Sequence, residues 1–454
     1  MTPKSYQIVP GHITTRWSQE LQPNSPLPEH PRPQFFRPAW RTLNGLWEYA
    51  ITELDAPQPQ SYPGQILVPF PIESSLSGVK KSLRPNERLW YHRIFSIDPD
   101  WMRGRVLLHF GAVDWSCQVF INDRFVGEHV GGYDPFSIDI TDIVKDKTNN
   151  LIVSVHDPTD SQPIQRGKQV LEPGFIWYTA VSGIWQTVWL EHVPDNYIES
   201  IQISPNIDDA TVMITSKISP PLMNASFDVE VLKDGQSISK RSAPADKPIL
   251  LPIPQPKLWS PETPHLYDLI LTLKDGEIPI DQVHSYFGMR KFSLETDQNG
   301  HKQFCLNHEP TLLYGPLDQG YWPDGLYTPP TDEAMRWEIT FIKEAGFNLI
   351  RKHVKVEPAR YYYHCDRIGV IVWQDMVSGG ISPKPFWFFF ANRLKKLRDD
   401  RSYWRLGRKG KQNREQFLQE YRRMIAALIN SVSIAIWGPF NEGWGQFDAA
   451  QIAA

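Results

Sequence analysis

Ser433-Ile-Ala-Ile-Trp437-Gly-Pro-Phe-Asn441-Glu442-Gly-Trp444-Gly445 runs a short apolar, β-rich stretch straight into an amide and an acid. The run predicts a buried strand whose last side chains emerge at an aromatic-lined mouth. In a (β/α)8 barrel the catalytic groups sit at the C-terminal ends of strands. An acid there, beside an amide and indoles, suits glycoside hydrolysis. That reaction needs a proton donor to the leaving oxygen and a hydrogen bond to the sugar 2-hydroxyl. It also needs a second carboxylate, and only a short tail follows Glu442.

Working back from this stretch, the pattern over 291–454 alternates strands and helices. Thr311–Tyr314, Asn348–Arg351, Val370–Trp373 and Val432–Trp437 read as strands. Thr331–Ala345, Pro358–Ile368 and Arg414–Ile429 read as helices. Thr331 is the expected N-cap of the first helix, and Gly346 and Gly369 are expected stops. Such alternation predicts a parallel sheet.

Upstream the pattern is all β. Val106–Phe110, Cys117–Ile121, Leu151–Val155 and Thr187–Leu190 read as short strands, with turns expected at Asn122-Asp123, Gly131-Gly132 and Thr148–Asn150. That spacing predicts a sandwich or jelly roll. From Tyr197 to Arg290 a second β pattern runs. Ser226–Leu232 and Leu266–Leu273 alternate there, and the composition suits an immunoglobulin-like sandwich.

The bulk numbers fit a folded enzyme or a lectin-like protein. At 454 residues the chain can hold several domains, and its net charge of -4 argues against nucleic acid as a partner. Seventeen Trp supply platforms for sugar faces, although most indoles in any protein serve the core. The three cysteines are far apart and form no C-x-x-C, so neither a disulfide framework nor a zinc site is expected. No apolar run reaches membrane-spanning length and the N-terminus has no signal-peptide core, so a cytoplasmic, membrane-free location is expected. The basic stretch Arg393–Arg414 reads as a solvated loop between a strand and a helix.

Several ordered segments match a known family: Arg41–Trp47, Val68–Glu73, Gly111–Trp115, Gly131–Phe136, Val181–Gln186, Phe287–Arg290 and Phe440–Trp444. The chain resembles glycoside hydrolase family 2, the β-galactosidase, β-glucuronidase and β-mannosidase group. The resemblance implies a jelly-roll sugar-binding domain (1–193), an immunoglobulin-like sandwich (194–290) and the first half of a (β/α)8 TIM barrel (291–454). It implies a retaining exo-β-glycosidase, β-galactosidase-like, acting on carbohydrate; the double displacement requires no cofactor and leaves room for an ancillary cation, for which the sequence shows no ligand set. Glu442 is then the general acid/base, Asn441 the partner of the 2-hydroxyl and Arg351 the arginine at the end of strand two. His353 is either a substrate contact or a structural hydrogen-bonder. Asp375 is either a polar site residue or a loop cap. Asp318 and Trp322 are the picks for a pocket wall in a segment that also reads as an Ω-loop, and Trp444 is a candidate sugar platform.

The family places the nucleophile, a Glu, at the end of strand seven, beyond the residues of this sequence. The expectation is therefore that this chain alone is an inactive fragment with an unstable C-terminal third. Open sheet edges would favour pairing with another chain, which leaves room for a homo-oligomer. The rival reading is a non-catalytic carbohydrate-binding protein with a remnant barrel.

Overall fold

The computed structural model describes residues 6–10, 13–380, 400–401, 403–404, 407–443 and 445–453. Two β-sandwiches precede a parallel sheet with its helices.

In the first sandwich a four-stranded sheet faces a six-stranded one. The strand Ser116–Ile121 shows why. Cys117, Val119 and Ile121 are buried and alternate with half-buried residues, so one face of the pleat enters the core. Trp47, Tyr91, Leu108, Phe110 and Val153 meet them from neighbouring strands. The turn at Asn122-Asp123 has both residues at positive φ, 50° and 63°, as a two-residue hairpin with right-twisted strands requires. The turn expected at Thr148–Asn150 is instead the start of the strand Thr148–His156. There Asn149 Oδ1 accepts from Asn122 Nδ2 at 2.9 Å, so these polar side chains stitch strands together and do not break one.

The second sandwich pairs a three-stranded with a four-stranded sheet around Phe227, Val229, Val231, Leu269 and Leu271. The guanidinium of Arg37 is buried between the two sandwiches. It donates to both oxygens of Asp281 (2.9 and 2.7 Å) and to Glu191 Oε1 (3.2 Å). The strand before Arg290 leads into a small antiparallel sheet, Phe292–Thr296, Lys302–Leu306 and Glu309–Pro310.

The final region carries four parallel strands, β1 (Leu317–Asp318), β2 (Leu349–Lys352), β3 (Ile371–Asp375) and β4 (Ile434–Gly438), in sequential order. Helices α1 (Asp332–Glu344), α2 (Ala359–Ile368) and α3 (Lys411–Leu428) connect them. Thr331 caps α1 as expected, its Oγ1 accepting from Ala334 N at 3.1 Å. Ala334, Met335, Ile339 and Ile342 bury the inner stripe of α1. Gly369 ends α2 in the left-handed region at φ 82°.

Strand one is not at Thr311–Tyr314. That segment is irregular, although the Tyr314 carbonyl accepts from Asn348 N (3.0 Å) and from Leu349 N (3.3 Å), the first residue of β2. The paired strand follows a few residues later, at Leu317–Asp318.

The sheet region is seated on both sandwiches. Asp366 at the end of α2 accepts from Tyr286 Oη (2.9 Å) and Ser433 N (2.7 Å), joining the second sandwich to β4. Helix α3 leans on the first sandwich through Glu420 and Arg423. Of the basic stretch 393–414, residues 393–399, 402, 405 and 406 lie outside the described residues. Arg408 is not solvated. It is fully buried and donates to Gln165 Oε1 (2.6 Å) and to the Gly445 carbonyl (3.1 Å). No helix among the described residues is long and apolar enough to cross a membrane.

Candidate active site

The ends of β2, β3 and β4 bring three of the expected residues together. Arg351 leaves β2 with its guanidinium 4.9 Å above the Trp373 ring of β3. Its Nε donates to Asp375 Oδ2 at 3.1 Å and lies 3.4 Å from Oδ1, with Nη2 2.9 Å from Oδ2, a charge-assisted contact centred on one carboxylate oxygen. The same Nη2 donates to Asn441 Oδ1 at 2.8 Å. Asn441 is buried, whereas Glu442 beside it is exposed and sits at φ 52°. The turn after β4 therefore sends the amide inward to Arg351 and leaves the acid open to a ligand. Only glycine fits where β4 ends. A Cβ on Gly438 would lie 2.5 Å from Asp375 Oδ1 and 2.9 Å from Trp373 Nε1.

Burial pushes the Asp375 carboxyl above the ordinary carboxylate range, and Glu442 adds to the rise while Arg351 opposes it. His353 Nδ1 stands 3.7 Å from Asp375 Oδ2 and has no hydrogen-bond partner. Burial, with the cations Lys168 and Arg351, lowers its pKa to about 4, so its imidazole is neutral at pH 7.

Asp318 and Trp322 have other partners. Asp318 Oδ2 binds Lys352 Nζ at 2.5 Å and Tyr361 Oη at 3.0 Å, while Oδ1 takes Gly320 N at 2.7 Å. Its carboxylate is thereby committed to a buried network with Lys352, Glu357 and Lys355. Trp322 lies edge-on to Trp17, with ring centroids 5.9 Å apart, and pairs through its backbone with Leu326. Trp17 in turn packs on Trp337 of α1. Trp444 lies outside the described residues. Among the described residues no group of three or more His, Cys, Asp or Glu is placed to hold a metal ion.

One wall of the site comes from a segment the sequence did not single out. Residues 164–170 of the first sandwich dock on the end of β3. Arg166 N and Gly167 N donate to the Ser378 carbonyl (3.1 and 2.9 Å), and Arg166 Nη1 donates to the Gly380 carbonyl (3.0 Å). Gly167 presses on the Val354 carbonyl, next to His353. This brings Lys168 close enough for its charge to act on both His353 and Glu442. A lone loop lysine forms no motif, so only the tertiary fold reveals it.

Two family profiles match the chain. Glycosyl hydrolases family 2, sugar binding domain, covers residues 57–194, and Glycosyl hydrolases family 2 covers residues 196–290. The chain belongs to glycoside hydrolase family 2. Among its family 2 relatives is a putative beta-glucuronidase of Formosa agariphila, 29% identical over 64% of this chain and 27% of the relative. Another is a beta-galactosidase of Thermoanaerobacter pseudethanolicus, 27% identical over 63% of this chain and 39% of the relative. The chain thus spans about a third of the length of such curated relatives. A solved β-glucuronidase from Ruminococcus gnavus, in complex with D-glucaro-d-lactam, superposes with a TM-score of 0.70 at 16% identity. The match covers 90% of this chain and 67% of that one. At that identity the likeness speaks for the fold alone.

Proposed function

We propose that the cluster at the ends of β2, β3 and β4 is the acid/base half of a retaining exo-β-glycosidase site. In this reading the parallel sheet is the first half of a (β/α)8 barrel, behind a jelly-roll unit (1–193) and an immunoglobulin-like unit (194–290). Glu442 protonates the glycosidic oxygen and later activates water. Asn441, held by Arg351, receives the sugar 2-hydroxyl. Asp375 and Arg351 are positioning residues that keep the amide aimed. His353, neutral at pH 7, contributes a hydrogen-bonding edge and no charge. Among neutral sugars we put a terminal β-galactoside first. The names of the relatives cover galactosidases and glucuronidases alike.

The observation that carries this reading is the Arg351–Asn441 bond at 2.8 Å, which pre-sets an amide beside an open carboxyl group at strand ends. The nucleophile must be a second carboxylate about 5–5.5 Å from Glu442. Asp375 is engaged by Arg351 and does not fill that role. We therefore propose that the 454 residues bind a β-glycoside without turning it over.

Titration of the chain with methyl β-D-galactoside and its 2-deoxy analogue tests the reading. Asn441→Ala should weaken the parent sugar roughly tenfold and leave the 2-deoxy sugar unaffected. Independent, additive losses would remove Asn441 from the 2-hydroxyl. Turnover of nitrophenyl β-glycosides that is abolished by Glu442→Gln would show a nucleophile already within the chain.

A further inference from the structure

The first sandwich sends one cation to the edge of this site. Lys168 is half-buried, and its ammonium lies 5.3 Å from the Trp177 ring centroid. Its backbone is fixed on both sides. The Lys168 carbonyl accepts from Tyr178 N at 2.9 Å, and Gln169-Val170 pairs in parallel with Tyr178-Thr179. Gly167, just before it, is anchored to the Ser378 carbonyl at 2.9 Å. Burial disfavours its charge and Glu442 favours it, yet Lys168 forms no ion pair among the described residues. Three cations on β2 and the segment after it are matched by carboxylates. Arg351 has Asp375, Lys352 has Asp318 and Glu357, and Lys355 has Glu357.

We propose that Lys168 is a specificity-determining residue that receives an anionic substituent of the sugar, a carboxylate or a sulfate, in the glycoside site.

Three physical points support this inference, which rests on the glycosidase reading above. First, burial disfavours the charged form of a lysine, so an unmatched, partly desolvated ammonium gains most from an incoming anion. Second, the indole face beside it stabilises the cation while leaving its donors free, since a ring accepts no directed hydrogen bond from all three. Third, the backbone ladder and the Ser378 anchors hold the residue in place, so little ordering is required when ligand arrives. A neutral sugar offers no partner for this charge and leaves it no better matched than in the empty site. A point charge does not distinguish a planar carboxylate from a tetrahedral sulfate, so both chemistries fall within the proposal.

The test is calorimetric titration of the 454-residue chain with methyl β-D-glucuronide, methyl β-D-glucoside 6-sulfate and methyl β-D-glucoside, and with the galacto counterparts of each. At least one anionic sugar should bind about 10- to 100-fold tighter than its neutral counterpart. That advantage should shrink with rising salt. Lys168→Gln should abolish it, and Lys168→Arg should retain most of it. Equal affinity for anionic and neutral sugars in the native chain overturns the inference and leaves the glycosidase reading intact. A preference that survives Lys168→Gln places the anion on another group and also overturns it. If no sugar of either kind binds, the glycosidase reading fails and the inference falls with it.

Discussion

Arg351 reaches over β3 to donate to Asn441 Oδ1 at 2.8 Å, so the amide beside Glu442 is oriented by a strand two places away in the sheet. The same guanidinium neutralises Asp375, whose side chain is 1% exposed. One residue therefore serves both stability and aim, and the two can be separated.

Arg351→Ala leaves the Asp375 carboxylate buried and unmatched. Because the arginine itself is 28% exposed, the loss should be about 1–3 kcal/mol and not the full cost of breaking a buried pair. Arg351→Lys should recover part of the stability but little sugar affinity, since one ammonium does not reproduce the fork. Urea unfolding and sugar titration measure the two effects. Native stability in Arg351→Ala would show that Asp375 does not depend on it.

Raising the pH should loosen the seat of α3. Glu420 is buried, accepts from Gln165 and Gln416 (both 2.9 Å), and is pushed up to about 8 by burial and by Asp134, with Arg408 opposing. The folded form thus keeps a proton that the unfolded chain releases near pH 4.3. Stability from this group is full below that pH and is lost as pH rises towards 8, at no more than about 1.4 kcal/mol per unit. Burial raises Glu73 to about 8 as well, with the same sign. Glu420→Gln should flatten the pH profile of the urea midpoint in part, and adding Glu73→Gln should flatten it further. An unchanged slope in the double variant would mean that both carboxyls are ionised in the folded state.

The Arg37 junction should behave in the opposite sense. Burial alone would raise the Glu191 carboxyl, but Arg32, His109 and Arg37 hold it well below the ordinary carboxylate range. Its stabilisation is therefore present above about pH 4.3 and fades as the medium is acidified below that. Arg37→Ala strips a buried cation from Glu191 and Asp281 and should cost about 3–5 kcal/mol at pH 7. The deficit should narrow at pH 3. A constant deficit across that range would assign the effect to packing.

Thr331→Ala removes the side-chain acceptor from the first turn of α1 and should cost about 1 kcal/mol, with Thr331→Ser close to the parent. Equal denaturation curves for Ala and Ser would show that Ala334 N finds another acceptor.

Much of this was legible in the sequence because it is local. Alternation over Ser116–Ile121, the turn pair at Asn122-Asp123, and Thr331 as a cap all depend on near neighbours. The convergence of Arg351, Asp375 and Asn441 was legible for a related reason. Each sits at or just beyond a strand end, and parallel strands bring such ends to one side. What was missed depends on distant partners. Thr311–Tyr314 has the composition of a strand, but the residues that pair with β2 are Leu317 and Asp318. Asp318 reads as a pocket-wall residue, and its bond to Lys352, from the next strand, has no signal in the local sequence. Arg408 sits in a basic run that reads as solvated, yet Gln165 of the first sandwich buries it.

The docking of 164–170 on the end of β3 also carries a consequence in time. Arg166 and its acceptor at Gly380 are 214 residues apart. At a ribosomal pace of about 5–20 residues per second, the first sandwich emerges roughly 10–40 s before the strand it will wall in. Through that interval the N–H groups of Arg166 and Gly167 and the ammonium of Lys168 face water or a chaperone. The first sandwich therefore leaves the ribosome with this edge open, before the sheet that closes it exists.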